Sequence, residues 1–477
     1  MLRRAVLILA ITVPLRAAIT WEKWDDSLFA RAKREHRFVL LDLEAVWCHW
    51  CHVMDDTTYR DPAVAALIAK KYIAVRVDQD SRPDLSNRYG DWGWPATIVF
   101  NANAGEIVRR RGFLAPDEMR SMLQAIIDDP SPGPSVWADA KPTLPEVPRL
   151  SDSLRAEVIK KNDDFYDAKH GGWGFSHKYL DALSVEYALA HDPDKARQTL
   201  TAALQIIDPK AGGIYQYSVG GDWKEPHFEK IMSMQAGALR TYSLAYARWH
   251  DPAYLHAAQS VRNFVTRVLR GSEGAFYTSQ DADFVNGERR VDKNIYAREN
   301  GWIIEALATY ADATGDRAAL ADAIRAADWI NAHRSLPNGG YKHGLTTQRL
   351  YLGDTLAMAN AQLALYASTR DRRWLSRAET SARFIESNFR ASAGYTTTKS
   401  SGTLAAAIDH DENVAAARFG NLLFRYTNNK QWQSMSAHAM RYLAAPEVAR
   451  LLPAGGVLLA DYETTHVMAS SSTPRSP

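Results

Sequence analysis

Cysteine is what this chain has least of: 477 residues hold two, too few for the disulfide framework that staples small secreted folds. Neither sign of charge is in excess, with 57 Lys and Arg against 55 Asp and Glu. That balance argues against nucleic acid or a strongly anionic partner. The N-terminus also lacks a run long enough to cross a membrane, because the apolar stretch Ala5–Leu15 falls well short of the roughly 20 residues a spanning helix needs. Behind Arg3 and Arg4 it instead reads as the core of a signal peptide over residues 1–20, cut near Ala17 or Ala18. The expectation is export to the periplasm or medium; left uncleaved, the segment would tether the protein to a membrane. In an exported chain, one closely spaced cysteine pair is redox-active by default.

Both cysteines lie in Trp47-Cys48-His49-Trp50-Cys51-His52-Val53-Met54. The apolar run Arg37–Glu44 precedes them and suits a buried central strand. A C-x-x-C between strand and helix reads as a thioredoxin-type dithiol. Cys48 would sit at the helix N-terminus, where peptide N–H groups and the helix dipole favour its thiolate. Cys51, one turn on, would resolve mixed disulfides. His49, when protonated, would favour the Cys48 thiolate further. Asp42 lies six residues before Cys48, where a buried carboxylate can take a proton from the resolving thiol. Pro95, in Gly93-Trp94-Pro95 ahead of the apolar Ala96–Phe100, is expected to be cis, since X-Pro bonds alone make cis inexpensive.

These elements compose a thioredoxin-like α/β domain over residues 21–128. A helix over Trp24–Arg34 precedes the first strand, Asp61-Pro62 opens a short helix, and Ile73–Val77 reads as a strand. A turn at Asn103-Ala104-Gly105 leads to Ile107–Arg111, and a helix over Pro116–Ile127 closes the domain. Six prolines then fall within Asp128–Leu150, which marks residues 129–150 as a linker.

Residues 151–468 change character. Helices over Glu229–His250, Pro252–Leu269, Glu299–Thr314, Asp316–His333, Asp354–Thr369 and Arg372–Phe389 alternate with a recurring glycine-aromatic signature. It occurs at Gly171-Gly172-Trp173, Gly212-Gly213-Ile214-Tyr215, Gly274-Ala275-Phe276-Tyr277, Gly339-Gly340-Tyr341 and Gly394-Tyr395, and in weaker form at Gly455-Gly456. Six helix pairs closed by glycine turns make an all-α (α/α)6 toroid. An open α-solenoid is the alternative, but a closed ring needs no capping repeats. The Ser/Pro-rich residues 469–477 read as a disordered tail. Fourteen Trp and twenty-one Tyr suit either an aromatic-lined carbohydrate cleft or the filling of a large helical core.

The dithiol segment, Val77-Asp78 with Arg82-Pro83-Asp84, Gly93-Trp94-Pro95, Trp223 with Pro226-His227-Phe228-Glu229-Lys230, and Tyr277-Thr278-Ser279-Gln280-Asp281-Ala282-Asp283 together resemble the spermatogenesis-associated thioredoxin-like family. The resemblance implies an N-terminal thioredoxin-like domain joined to a six-hairpin, glycosidase-like toroid, and it supplies fold more than reaction. The chain departs from the family pattern in a shorter segment between Asp84 and Gly93, and in Arg109-Arg110-Arg111-Gly112-Phe113 where a glycine-rich turn is usual.

Three functions compete. In the first, the Cys48-Cys51 dithiol exchanges disulfides with a protein client or redox partner, and the toroid recognises that client or a carbohydrate. No cofactor is needed beyond the redox-active disulfide; a metal on Cys48, Cys51 and His52 or His49 is the chemical alternative, and a dithiol without function is another. The C-x-x-C-H string also matches a haem attachment motif, but Gly-Trp-Pro and the strand context speak for thioredoxin. In the second, the toroid is a glycoside hydrolase or epimerase whose cleft acids come from Glu229, Asp281, Asp283, Glu299, Asp354, Asp409, Asp411 and Glu412. His227 is its candidate acid/base, although a hydrogen-bonded core histidine is the plainer assignment. Asp316, Asp354 and Glu299 also stand where helix caps belong, whereas Asp281 and Asp283 do not form one cap. In the third, the cleft binds without catalysis.

Overall fold

A computed structural model of the chain describes residues 18–90, 93–136, 141–285, 287–399 and 402–466. The core of the expected signal peptide and the C-terminal tail lie outside the described residues. The chain divides into two compact units. One comprises residues 18–44, 50–77 and 93–136; the other comprises 45–49, 78–90 and 141–466 among the described residues.

In chain order the first stretch forms α1 (Leu28–Glu35), β1 (Phe38–Glu44), α2 (His49–Asp56), α3 (Pro62–Lys71), β2 (Tyr72–Asp78), α4 (Pro83–Tyr89), β3 (Ala96–Phe100), β4 (Glu106–Arg111) and α5 (Pro116–Asp128). The four strands make one sheet in the order β2-β1-β3-β4. β3 runs antiparallel to both its neighbours, with Leu41 opposite Ile98 and Ile98 opposite Arg109. Val39 to Leu43 are all buried, which is why β1 reads as an uninterrupted apolar run around Asp42. The side chain of Asp61 accepts the N–H groups of Ala63 and Val64, so Asp61-Pro62 starts α3 as its sequence dictates. The Trp94-Pro95 bond is cis. The helix expected from Trp24 begins only at Leu28, and α4, opened by Pro83, was not anticipated.

The helical unit contains α6 (Asp152–Asp164), α7 (Ala182–His191), α8 (Pro193–Ala203), α9 (Met232–Trp249), α10 (Pro252–Phe264), α11 (Ala297–Thr314), α12 (Arg317–His333), α13 (Leu352–Thr369), α14 (Arg372–Asn388), α15 (His410–Thr427), α16 (Lys430–Leu443), α17 (Pro446–Ala449) and α18 (Gly455–Thr465). Helices α7, α9, α11, α13, α15 and α18 pack in sequence, and α18 returns to α7. That closed inner ring makes the unit an (α/α)6 toroid, with α8, α10, α12, α14 and α16 each packed outside the inner helix it follows and α6 outside α18. Four large side chains of this unit, Trp223, Trp374, Trp432 and Tyr242, are fully buried, so much of the aromatic excess is core.

The glycine turns join each outer helix to the next inner one. Five close with the same isolated antiparallel bridge: Tyr166 to Trp173, Ile207 to Ile214, Arg270 to Phe276, Ser335 to Tyr341 and Arg390 to Tyr395. The fourth residue of the following inner helix reads the turn. Gln235, Asn300 and Asn413 each use one side-chain amide to accept the N–H and donate to the C=O of Ile214, Phe276 and Tyr395, respectively. A buried amide satisfies both backbone groups there. Gly455-Gly456 is not a sixth such turn: both residues lie in the first turn of α18, where a side chain on Gly455 would collide with Ser184 and one on Gly456 would crowd Leu183. The longer turns also hold strands that periodicity did not reveal. β5 (Tyr217–Val219) pairs with β6 (Glu225–His227), and β7 (Lys230–Ile231), β8 (Ser279–Val285) and β9 (Glu288–Asp292) form a three-stranded sheet.

Candidate functional site around the dithiol and the glycine end of the toroid

Cys48 ends the loop after β1, and Cys51 lies in the first turn of α2. Both are buried and joined as a disulfide. As a disulfide neither sulfur is a thiolate ligand, so a metal on this pair would require the reduced form. In the first unit, Asp42 is buried in mid-β1 with its Oδ2 3.0 Å from Arg76 Nε. Burial pushes the Asp42 carboxyl up to about 6, against the pull of Arg76. Glu44 and Asp55 complete a group of three carboxylates close enough to hold one cation, and the Arg76 guanidinium pairs with all three. Arg76 also covers the face of Trp21 at 4.2 Å.

The residues on the N-terminal side of the disulfide belong to the helical unit, as do Asp78 to Gly90, and several hydrogen bonds hold them at the inner-helix starts. Trp47 Nε1 donates to Asp80 Oδ2 at 2.8 Å. Arg290, on β9, donates to the Val46 carbonyl and, at 2.9 Å, to Asp281 Oδ2. His49 Nδ1 stands 2.8 Å from Asp283 Oδ1. His343 Nε2 donates to the Asp80 carbonyl at 2.6 Å, Arg88 donates to the Ala405 carbonyl, and Asn87 reaches Thr397. The glycine end of the ring is thus occupied by the chain's own cysteine loop and the segment after β2.

This end is rich in buried acid. Burial, then the neighbouring Asp292 charge, pushes the Asp78 carboxyl up to about 7. Burial followed by Asp78 and Glu299 raises Asp80 well above the usual carboxylate range. Glu412, which accepts from Thr397 at 2.7 Å, is pushed by burial to about 7. Asp354 and His343 are fully buried, with Nδ1 2.9 Å from Oδ1, and Tyr296 stacks on the imidazole at 4.0 Å. Burial lowers the His343 pKa, but the Asp354 charge and hydrogen bond outweigh it, so the net shift is upward. Inner-helix N-termini converge here, and their positive ends favour such acids.

The expected site residues do not form one cluster. His49, next to Cys48, meets Asp283, and buried Asp281 accepts the Asp283 N–H at 2.9 Å. Asp354 lies at the glycine end but does not cap its own helix; it accepts the N–H of Arg298 in the first turn of α11 at 3.0 Å. Glu299 pairs with Arg298, whereas Asp316 does cap α12 and Asp409 caps α15. His227 stacks on Tyr217 at 4.3 Å and lies 3.9 Å from buried Glu229, whose carboxyl burial raises. Burial lowers the His227 pKa, with the charges of His49 and His177 next. Asp411 is exposed and paired with its neighbour His410. Pro95 leads into β3 and its carbonyl accepts the Gly112 N–H at 2.7 Å.

Sequence reasoning missed Asp80, Arg290, Arg298 and His343. No spacing signals His343: it stands three residues after Gly340, whereas Lys178 and Lys230, which form buried ion pairs with Asp167 and Asp208, stand six and seventeen residues after Gly172 and Gly213.

Comparison with known proteins agrees with this architecture. A family model described as "Protein of unknown function, DUF255" matches residues 12–128. A second, described as "Beta-L-arabinofuranosidase, GH127 catalytic domain", matches residues 162–439. Spermatogenesis-associated protein 20 of Mus musculus is 25% identical over 313 residues, 56% of this chain and 39% of that protein. An uncharacterised Caenorhabditis elegans protein is 25% identical over 305 residues, 56% of this chain and 41% of its own length. The chain therefore spans well under half the length of these curated relatives. Among solved structures, a sugar epimerase from a ruminal bacterium superposes with a TM-score of 0.51 at 13% identity, covering 61% of this chain and 85% of that one. D-mannose isomerase superposes with a TM-score of 0.50 at 14% identity, covering 63% and 88%. At such identities these likenesses show the fold.

Proposed function

Since the chain belongs to the family described as "Beta-L-arabinofuranosidase, GH127 catalytic domain", yet spends the glycine end of its toroid on the cysteine loop, we propose that the dithiol carries the chemistry. On this reading the protein is an exported thiol-disulfide oxidoreductase, and the toroid holds the cysteine loop and recognises the client. The observation that carries the reading is the Cys48-Cys51 disulfide at the start of α2, preceded on β1 by a buried carboxyl, Asp42, raised to about 6.

In the oxidising direction a client thiolate attacks Cys48, the S–S bond breaks, and Cys51 leaves as a thiolate that takes a proton from Asp42. A second client thiolate then attacks the mixed disulfide and releases Cys48. The client gains a disulfide, two electrons enter the protein, and a second disulfide-bearing oxidant such as glutathione disulfide takes them away. The reducing direction is the reverse and draws its electrons from a dithiol donor.

The test is equilibration of the full chain in glutathione buffers of graded potential, with Trp47 and Trp50 fluorescence as reporter. A reversible two-electron couple between roughly −270 and −120 mV is expected, its value deciding the direction; Cys48→Ser removes it. Absence of any reversible couple would sink the redox reading.

A second reading has its own support in the family match and in the acids raised to about 7, Asp78 and Glu412, since glycoside hydrolysis requires a carboxyl kept protonated. It expects Cys48→Ser to retain hydrolysis of a chromogenic β-L-arabinofuranoside. A protein showing neither activity is a binding scaffold.

A further inference from the structure

The β8–β9 hairpin meets the cysteine loop at two points. Asp283 Oδ1 lies 2.8 Å from His49 Nδ1, and Arg290 donates to the Val46 carbonyl. A single buried carboxylate ties these contacts together: Asp281 Oδ1 accepts the Asp283 N–H and Asp281 Oδ2 accepts from Arg290, each at 2.9 Å. His49 stands next to Cys48 and between the two cysteines in sequence, so whatever fixes its ring fixes an imidazole dipole beside the dithiol segment. Asp283 is more than a third exposed and Asp281 is buried. The two acids that sequence spacing could not explain as one cap therefore do different work, one contacting the imidazole and one bracing the contact.

We infer that Asp283 is a positioning residue for the dithiol: it accepts the Nδ1–H of His49, holds the imidazole in one orientation beside Cys48, and so sets the thiol-disulfide equilibrium. The inference rests on the redox reading above. Its role is orientation, so an acceptor oxygen at this place is enough and a full negative charge is unnecessary.

A double-mutant cycle on the full chain tests it, with the glutathione equilibrium constant as readout and circular dichroism confirming the fold. Asp283→Ala shifts the constant by about fivefold, the worth of one hydrogen bond of about 1 kcal/mol. Asp283→Asn, which keeps an acceptor, stays within about twofold of wild type, and Asp283→Ala has no further effect in a His49→Ala background. Histidine nitrogen NMR supplies a second readout, in which the bonded Nδ1–H resonance of His49 is lost in Asp283→Ala and retained in Asp283→Asn. Asp283→Val, which likewise lacks an acceptor, repeats the cycle should the alanine variant fail to fold. An unchanged constant in Asp283→Ala, the same shift with and without His49, or no rescue by asparagine each overturns the inference while leaving the redox reading intact. A wild-type protein without a reversible couple overturns both.

Discussion

The two ends of the toroid solve the same problem, the unsatisfied N–H groups of a helix start, in opposite ways. Where inner helices turn into outer ones, each outer helix is capped by its own N-cap side chain: Asp192, Asp251, Asp316, Asp371 and Asn429 accept N–H groups of α8, α10, α12, α14 and α16, respectively, and Ser151 does the same for α6, which follows the Pro-rich segment. Where outer helices turn into inner ones, the N-cap positions of α9, α11, α13 and α18 are Ile231, Tyr296, Tyr351 and Ala454, and none caps by its side chain, whereas α15 is the exception, capped by its own Asp409. There the help comes from elsewhere in the fold, as when Asp354 of α13 serves Arg298 of α11. The first end is a row of independent local solutions, and the second is a shared network that has also taken in the cysteine loop.

The strongest way to break this contrast is at the network. Asp354→Ala strips His343 of its counter-charge and Arg298 of its acceptor in a fully buried place. Breaking a buried pair this way costs about 3–5 kcal/mol. Urea unfolding followed by far-UV ellipticity should show that loss in the helical unit. Asp354→Asn and His343→Asn should each cost less, and together less than their sum, because neither keeps its partner when the other is gone. Costs that simply add would mean the glycine end is no network at all.

The same contrast explains what the sequence made legible. The capping acid Asp316, the helix opener Asp61-Pro62 and the strand at Arg37–Glu44 act through residues within a turn of themselves, so pattern alone finds them. The glycine turns were visible because the ring repeats them, and the cis Trp94-Pro95 bond because only proline makes it inexpensive. Gly455-Gly456 misled because its glycines answer a tertiary demand, close approach to α7, and not a turn. Asp354 was read as a cap of its own helix since spacing cannot show that its acceptor role belongs to a neighbouring one. Asp80, Arg290 and His343 act on groups far away in sequence, at separations no periodicity encodes. Their placement required the closed ring.

A smaller effect distinguishes the ends by pH. The raised His343 pKa means its bonds contribute fully below the unfolded value near 6.5 and are lost as pH rises through the folded one. Asp78 and Glu412, raised to about 7 by burial first, act in the same direction: the fold favours their neutral forms, and stability drains away between their unfolded values near 4 and about pH 7. Glu186, held at about 2 by Arg240 and Arg418 against burial, changes only in acid below that window. The urea midpoint of the helical unit should therefore be higher near pH 5.5 than near pH 8. His343→Asn should flatten part of the slope. A midpoint that climbs with pH over that interval would show that these acids are solvated and that the glycine end is not the buried network described.

The capped end should respond least, and in a different manner. Asp316 accepts the N–H groups of Ala318 and Ala319, and Asp371 accepts that of Arg373, each as the N-cap of its own outer helix. Replacing such a cap by alanine removes the acceptor for a donor that water can still reach, which costs about 1 kcal/mol. Asp316 and Asp371 share no hydrogen-bond partner among the described residues, so the double variant should lose the sum of the two within about 0.5 kcal/mol. Its urea midpoint should show no pH slope beyond that of the parent, because Asp78, Glu412 and His343 lie at the other end. A strong coupling between the two caps would mean that the outer helix starts communicate around the ring, and that the scaffold end shares the network character of the site it supports.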